Sequence, residues 1–404
     1  MGASARPIAV LVAMVALLGF GRSAASAPGD RPSPASGLIV RSGVETSFYA
    51  DSDDVTVVTP TLSAGVESPL SGWSLRGSYL VDVVTAASAD IIATATPRWS
   101  EVRHGVSGSA GYKPGDLGAE VHASASIEPD YRSLSVSGTG AWDLHEKNVT
   151  LLVGYGYTND IAGRESTPFD VFNRPLDRHT FNAGASVVLG PATIVTAVVD
   201  AMVERGDPSK PYRYVPMFQP GTSDEVPVGA SLAFVSNQRA HERPLEQLPA
   251  SRDRFALTGR LAHRFSGSTL RLEERLYLDT WGLMASTSDA HYLIDIGRRF
   301  VIAPHVRVHL QNGVDFWHRA YELEADAEGR LVAPTLRTGD RELGPLRSFT
   351  GGLGVQCDLS TSAGTRSWVL ALQTDGVFTG YTDALYIARR NAIFTALSLD
   401  ATFD

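Results

Sequence analysis

A single cysteine, Cys357, stands in 404 residues. No internal disulfide can form, which excludes the stapled small secreted domain. Helical periodicity is nearly absent. Past residue 20 no run is apolar enough for a membrane helix, which needs about 20 such residues. No basic surplus exists either: the formal charge is −9, against generic nucleic-acid binding, which needs a basic face. No G-x-S-x-G and no Gly-rich phosphate loop occurs. No catalytic residues are assigned, no enzyme is expected, and no cofactor is implied.

What is present begins with an export signal. Arg6 supplies the positive start, IAVLVAMVALLGF (8–20) the apolar core, and SAASA (23–27) the small residues before a cleavage site after Ala27. A short membrane anchor is the alternative, but the apolar run is too short to span. Cleavage removes Arg6 and Arg22 and no acid, which leaves the mature chain near −11. A Pro/Ser-rich leader, 28–37, follows.

From residue 38 to 404 one rhythm holds. Apolar residues alternate with small or polar ones, in segments separated by turn residues. Successive strand side chains point to opposite faces. In YRSLSVSGTGAWD, Leu134, Val136 and Trp142 share one face and Ser133, Ser135 and Ser137 the other. About sixteen such strands are expected, at 38–50, 55–68, 73–84, 99–112, 117–128, 131–143, 148–159, 178–189, 191–204, 253–265, 268–281, 289–300, 303–318, 346–358, 367–380 and 391–403.

The connections sort by length. Tight turns follow even-numbered strands. The long connections, 85–98, 160–177, 205–252, 319–345 and 381–390, follow odd-numbered ones. Short periplasmic turns, long outer loops and an even strand count describe an antiparallel transmembrane β-barrel in a bacterial outer membrane. Lipid gives backbone groups no hydrogen-bond partner, so only helices or closed barrels cross it. A large soluble β-sandwich or β-solenoid is the alternative. Tyr49, Trp73, Trp99, Tyr112, Trp142, Tyr157, Trp317, Trp368 and Phe403 fall near strand ends, where aromatic girdles belong. Three residues break the pattern. Glu274 falls on the outer face with Leu272 and Leu276, which suggests a register-shifting bulge near Glu273 and Glu274. His104 and His263 also fall outward.

The blocks along the chain are distinctive. Asp82, Val84, Thr85, Ala87, Ser88 and Asp90 make a D-x-V-[ST]-x-A-S-x-D block. Glu101 and Arg103 make an E-x-R, and Glu128, Asp130, Tyr131 and Ser133 an [ED]-x-D-Y-x-S block. Pro211, Tyr212, Arg213 and Val215 match an N-P-Y-R-x-V segment in which Lys210 replaces the Asn. In these blocks, in this order, the chain resembles an uncharacterised family of Gram-negative outer-membrane β-barrels, a domain of unknown function. The resemblance implies location and fold and no reaction.

The alternation points Arg76 and Asp82 inward, with Glu101 and Arg103 on the neighbouring strand. Such charges suit a shape-keeping ion-pair ladder or a charged constriction that selects solutes. A later set, Arg260, Arg264, Arg271, Glu273, Arg275, Asp279 and Arg307, faces inward too. It reads either as a basic wall for anionic solutes or as charges paired with acids such as Asp200 and Glu204. No metal set is assigned: His305 and His309 share a face but lie roughly 13 Å apart at strand rise. Asp82, Ser88, Asp90 and Asp130 offer oxygens for Ca²⁺, or only turn-forming polarity. Asp82 and Asp90 are expected to organise the loop mouth through hydrogen bonds, with Tyr131 close by.

The longest insert, 205–252, exceeds an ordinary connection. Its PYRYVPMF (211–218) makes it a lid folded inward, with Tyr212 and Arg213 reaching lumenal acids, or an exposed receptor surface. The expected protein is a channel or transporter for small polar or anionic solutes; the alternative is a plugged structural or assembly component. Its partners are outer-membrane lipid, the barrel-assembly machinery and a small solute. The sequence leaves the oligomeric state open.

Overall fold

The computed structural model describes residues 37–86, 99–360 and 366–403, with the side chains of 86, 99 and 100 excepted. The expected signal segment and almost all of the expected leader lie outside the described residues. Sixteen antiparallel strands close into one barrel: β1 (Ile39–Asp51), β2 (Val55–Ser68), β3 (Trp73–Ala86), β4 (Trp99–Tyr112), β5 (Leu117–Glu128), β6 (Tyr131–Leu144), β7 (Val149–Ala162), β8 (Arg174–Gly190), β9 (Thr193–Gly206), β10 (Ser251–Arg264), β11 (Ser268–Asp279), β12 (Met284–Ile296), β13 (Phe300–Gln311), β14 (Leu346–Asp358), β15 (Arg366–Tyr381) and β16 (Arg389–Phe403). β16 pairs with β1, Phe403 opposite Val40, so no edge is left open.

The two-residue alternation decides which face meets lipid. Val44, Leu62, Leu75, Val106, Leu134, Val153, Leu257, Leu276, Val306 and Leu372 all point out and are exposed. No soluble protein leaves so continuous an apolar belt uncovered, and no helix among the described residues is long and apolar enough to cross a membrane. The strands do the crossing. Trp73 pairs with Tyr112 at the short-turn end, Trp142 is exposed there, and Trp368 packs edge-on against Phe403 with centroids 5.9 Å apart. These form one girdle.

Several expectations need correction. β12 spans 284–296 rather than 289–300, and β13 ends at Gln311 rather than 318. Val314, Phe316 and Trp317 therefore leave the wall. Val314 is buried with Trp281 and Leu283, and Phe316 and Trp317 pack against that cluster. Tyr49 is no girdle residue either: it shares the inward face of Ser47, opposite Val44 and Phe48, and donates to Asp51 at 2.8 Å. The side chain of Trp99 lies outside the description. No bulge occurs at Glu273 or Glu274; Gly259 faces Glu274 and Arg260 faces Glu273 in unbroken register. Glu274 does point to lipid, and Ser286 and Ser288 of β12 donate their hydroxyls to it, the first at 2.7 Å. His104 and His263 also face out with polar partners: the Tyr79 hydroxyl at 2.8 Å and the Thr193 hydroxyl at 2.8 Å.

The long connections 163–173, 207–250 and 312–345 leave from one end of the barrel, as expected. Two of them share a core over the mouth. Met217 and Phe218 pair in parallel with Tyr321 and Glu322. Val215, Met217, Ala240, Tyr321 and Leu323 form one buried cluster, and Phe218, Val226, Ala230, Val235 and Ala320 another. Met217 and Phe218 are fully buried, each worth roughly 2 kcal/mol of apolar burial. The helix Leu232–Gln238 belongs to this cap; the Ser231 hydroxyl accepts from the Phe234 N–H at its start.

Candidate functional site

Pairing across strands positions the lumenal charges. Asp82 lies opposite Arg103. Arg103 Nε donates to Asp82 Oδ2 at 2.6 Å, and Thr59 Oγ1 donates to Oδ1 at 2.5 Å. Asp82 is buried, as are Glu101 and Asp130. Ser88 and Asp90 lie outside the described residues. The three acids that converge at this rim are Glu101, Glu128 and Asp130, and each has further interactions of its own. Tyr131 opens β6 beside them and shares the inward face of Ser133 and Ser135.

A belt of ion pairs continues around the outer half of the wall. Arg178 joins Asp160 on one side and Glu204 on the other, the latter at 3.1 Å. Glu204 also meets Arg254 at 2.6 Å. Arg252 binds Asp279, with its Nε at 2.8 Å, and Tyr277 donates to the same carboxylate at 2.7 Å. Lower on the wall Arg275 meets Asp200 at 2.8 Å, Arg260 meets Glu273 at 2.5 Å, and Arg264 pairs with Asp295. Arg76 lies towards the short-turn end, between Glu67 at 3.6 Å and Glu120 at 3.8 Å. The charged residues picked out in the sequence thus line the wall at several heights rather than one ring. Most arginines are neutralised by neighbours. Two of those picked out in the sequence, Arg271 and Arg307, make no direct ion pair among the described residues, although Arg307 stands opposite Asp289.

Those two arginines flank a group that sequence reasoning missed. His291 pairs with His305 across β12 and β13, and Arg271 of β11 faces His291 from the other side. The imidazoles stack at 4.3 Å between centroids, 6° from parallel. His291 Nε2 lies 2.8 Å from Asp289 Oδ1, and His305 Nε2 lies 3.8 Å from Asp289 Oδ2. Asp289 in turn stands opposite Arg307. Behind His305, Asp375 of β15 reaches across Gly352 of β14. A side chain at 352 would forbid this: a Cβ there would lie 1.7 Å from Asp375 Oδ1. His309, noted in the sequence, is instead hydrogen-bonded to Thr287 at 2.7 Å and Gln311 at 3.2 Å.

Over the mouth, Arg213 holds the cap. Its guanidinium meets Glu246 at 3.1 Å and Asp340 at 2.9 Å. Both are loop residues, so the expectation that Arg213 meets wall acids is corrected: it ties the 207–250 loop to itself and to the 312–345 loop. Thr338 donates to Glu246 at 2.6 Å, and the Lys210 N–H donates to it at 3.0 Å. Burial pushes the Asp340 carboxyl up, but Arg213, the Glu342 N–H and Lys210 outweigh burial and hold it below the usual carboxylate range. Burial lifts the Tyr321 phenol to about 12. The Tyr212 hydroxyl accepts from the Glu165 N–H, which joins the cap to the 163–173 loop. Arg341 reaches Asp53 in the β1–β2 turn at 2.8 Å, and the Gly229 N–H donates to the Ala384 carbonyl at 2.9 Å. The loop layer therefore bridges opposite sides of the rim.

The model of a family described as protein of unknown function (DUF3570) matches residues 25–174 and 176–370. No curated protein matches the sequence. Among solved structures, the siderophore receptor PirA from Acinetobacter baumannii is similar at 11% identity and a TM-score of 0.41 over 84% of this chain; the chain spans about half of that receptor, 52%. OccK5 (OpdH) from Pseudomonas aeruginosa is similar at 8% identity and a TM-score of 0.41, over 91% of this chain and 98% of that one. OccK1 (OpdK) from Pseudomonas aeruginosa gives 7% identity and 0.42, over 91% and 99%. At these scores the likenesses add nothing to what the strand register itself establishes.

Proposed function

The chain belongs to the DUF3570 family of proteins of unknown function, and from its barrel we propose that it is an outer-membrane channel or transport protein for small polar solutes, with a preference for anions. The observation that carries this reading is the pair of lumenal arginines that make no direct ion pair among the described residues, Arg271 and Arg307, on a wall where the other arginines of β10 and β11 are paired. A paired guanidinium presents little net charge to a passing solute. An unpaired one attracts anions across a low-dielectric lumen, where screening is weaker than in bulk water. Rings and patches of such residues select ions in pores.

The cap sets access. Arg213, Glu246 and Asp340 hold the two long loops together above the lumen, so passage requires the loop layer to loosen. A second reading has an observation of its own. Val215, Met217 and Phe218 are buried as deeply as a soluble core, which favours a permanently plugged barrel with a structural or assembly role.

Planar-bilayer recording separates the two. The purified protein, and a variant lacking residues 208–248 whose fold is verified by heat-modifiable migration, are reconstituted and scanned for conductance steps. A channel gives steps, larger or more frequent once the cap is gone. No step from either protein contradicts transport and leaves the plugged reading.

A further inference from the structure

We propose that Asp289, His291 and His305 form a lumenal binding site for a divalent transition-metal ion of the zinc type. The three residues each offer a ligand atom, and these atoms all lie within 4.8 Å of one another. The ring edges of both histidines are turned to the same carboxylate, His291 at 2.8 Å and His305 at 3.8 Å. Asp289 can accept a good hydrogen bond from one ring at that spacing and not from both. A metal ion between them satisfies both nitrogens and the carboxylate together.

A second observation points the same way. His305 is 6% exposed. Its Nδ1 lies 3.1 Å from Asp375 Oδ1, yet it is out of line for a hydrogen bond and has no hydrogen-bond partner among the described residues. A small turn of the ring would align Nδ1–H with Asp375 and present Nε2 to the ion. Ligating histidines commonly donate their other N–H to a carboxylate in this way, which fixes the tautomer. Asp375 is itself held by the Gln373 amide at 2.6 Å, and Gly352 leaves the space it occupies.

The donor set names the class of ion. Two imidazoles and a carboxylate suit zinc and its neighbours, and not calcium or magnesium, which take oxygen ligands. Three protein ligands leave a fourth position open to the lumen, as in exchangeable or catalytic zinc sites. Arg271 and Arg307 stand beside it and weaken cation binding by repulsion; Asp289 and Asp375 offset that. The same arginines would favour an anion in the open position. Metal binding does not depend on whether the barrel conducts, so failure here and failure of the channel reading are told apart.

The test is a zinc titration of the untagged full-length protein in detergent micelles, followed by calorimetry. One zinc per chain is expected. His291→Gln and His305→Gln, each checked for heat-modifiable migration, should weaken binding by about tenfold or more. Gly352→Ala, which removes no ligand but displaces Asp375, should weaken it roughly tenfold. Should the histidine variants not fold, X-ray absorption of the zinc-loaded wild type decides: two imidazole nitrogens in the first shell support the site. Absence of saturable binding by the wild type, a shell without imidazole, or unchanged affinity in folded histidine variants overturns it.

Discussion

Asp82 and Arg103 face each other across β3 and β4, joined at 2.6 Å, with Thr59 closing the third side of the carboxylate. Asp82 is buried and the Arg103 side chain is only 18% exposed, so neither charge can turn to water. Removing one partner strands the other. Asp82→Ala is expected to cost about 3 kcal/mol and to lower the yield of folded barrel. Arg103→Ala should cost similarly, and the double variant less than the sum. Unfolding midpoints in urea from lipid vesicles check this; additive losses would show that the two residues act apart.

The cap carries an acid dependence. The Asp340 carboxyl is held below its ordinary value chiefly by Arg213, against the opposing effect of burial. A depressed folded-state pKa contributes stability above the unfolded carboxylate value, about 4, and that stability is lost as pH falls through the lower folded value. The loop layer is therefore expected to be tight at neutral pH and to loosen below about pH 4. Limited proteolysis within 207–250, using a protease active at both acid and neutral pH, reads this out. Asp340→Asn should make cleavage readily detectable at neutral pH and flatten its pH dependence.

Glu274 is the carboxylate that faces lipid midway along β11 with two serine hydroxyls as donors. Charge on a lipid face destabilises a barrel in a depth-dependent manner. Glu274→Leu is expected to stabilise the barrel in vesicles by roughly 1 kcal/mol, whereas Ser286→Ala with Ser288→Ala should destabilise it by stripping the donors. Loss of stability in Glu274→Leu would show that the glutamate is bound by something other than these serines.

Much of the barrel was legible because one physical rule, alternation under a lipid face, governs every strand. β2, β4, β5 and β14 begin and end at the residues the alternation gives. The inward placing of Arg76, Asp82, Glu101, Arg103, Arg260 and Arg271 followed from the same parity. Legibility failed where a turn was misplaced. The β12–β13 turn lies at 297–299, with Gly297 at φ +64°, but was expected a few residues later. That shift hides His291 from His305, since partners in a hairpin are counted from its turn. With the turn at Gly297, His291 of the D-x-H falls directly across from His305 and Asp289 across from Arg307, so the signal was there to be found. The cap failed for another reason. Val314 and Phe316 alternate as a strand would and Trp317 follows like a strand-end aromatic, and only the contacts of the folded loops show that they leave the wall. The partners of Arg213 are distant in sequence, at 246 and 340, and no local pattern announces them.

The central claim is that Arg271 and Arg307 set the charge preference of the lumen. The reversal potential in a KCl gradient, at low ionic strength where screening is weakest, tests it most directly. The wild-type protein, although its chain is acidic overall, is predicted to pass chloride in preference to potassium, and Arg271→Gln with Arg307→Gln to shift that preference towards potassium. A wild-type channel that prefers potassium, or a reversal potential unmoved by the double substitution, would contradict the claim.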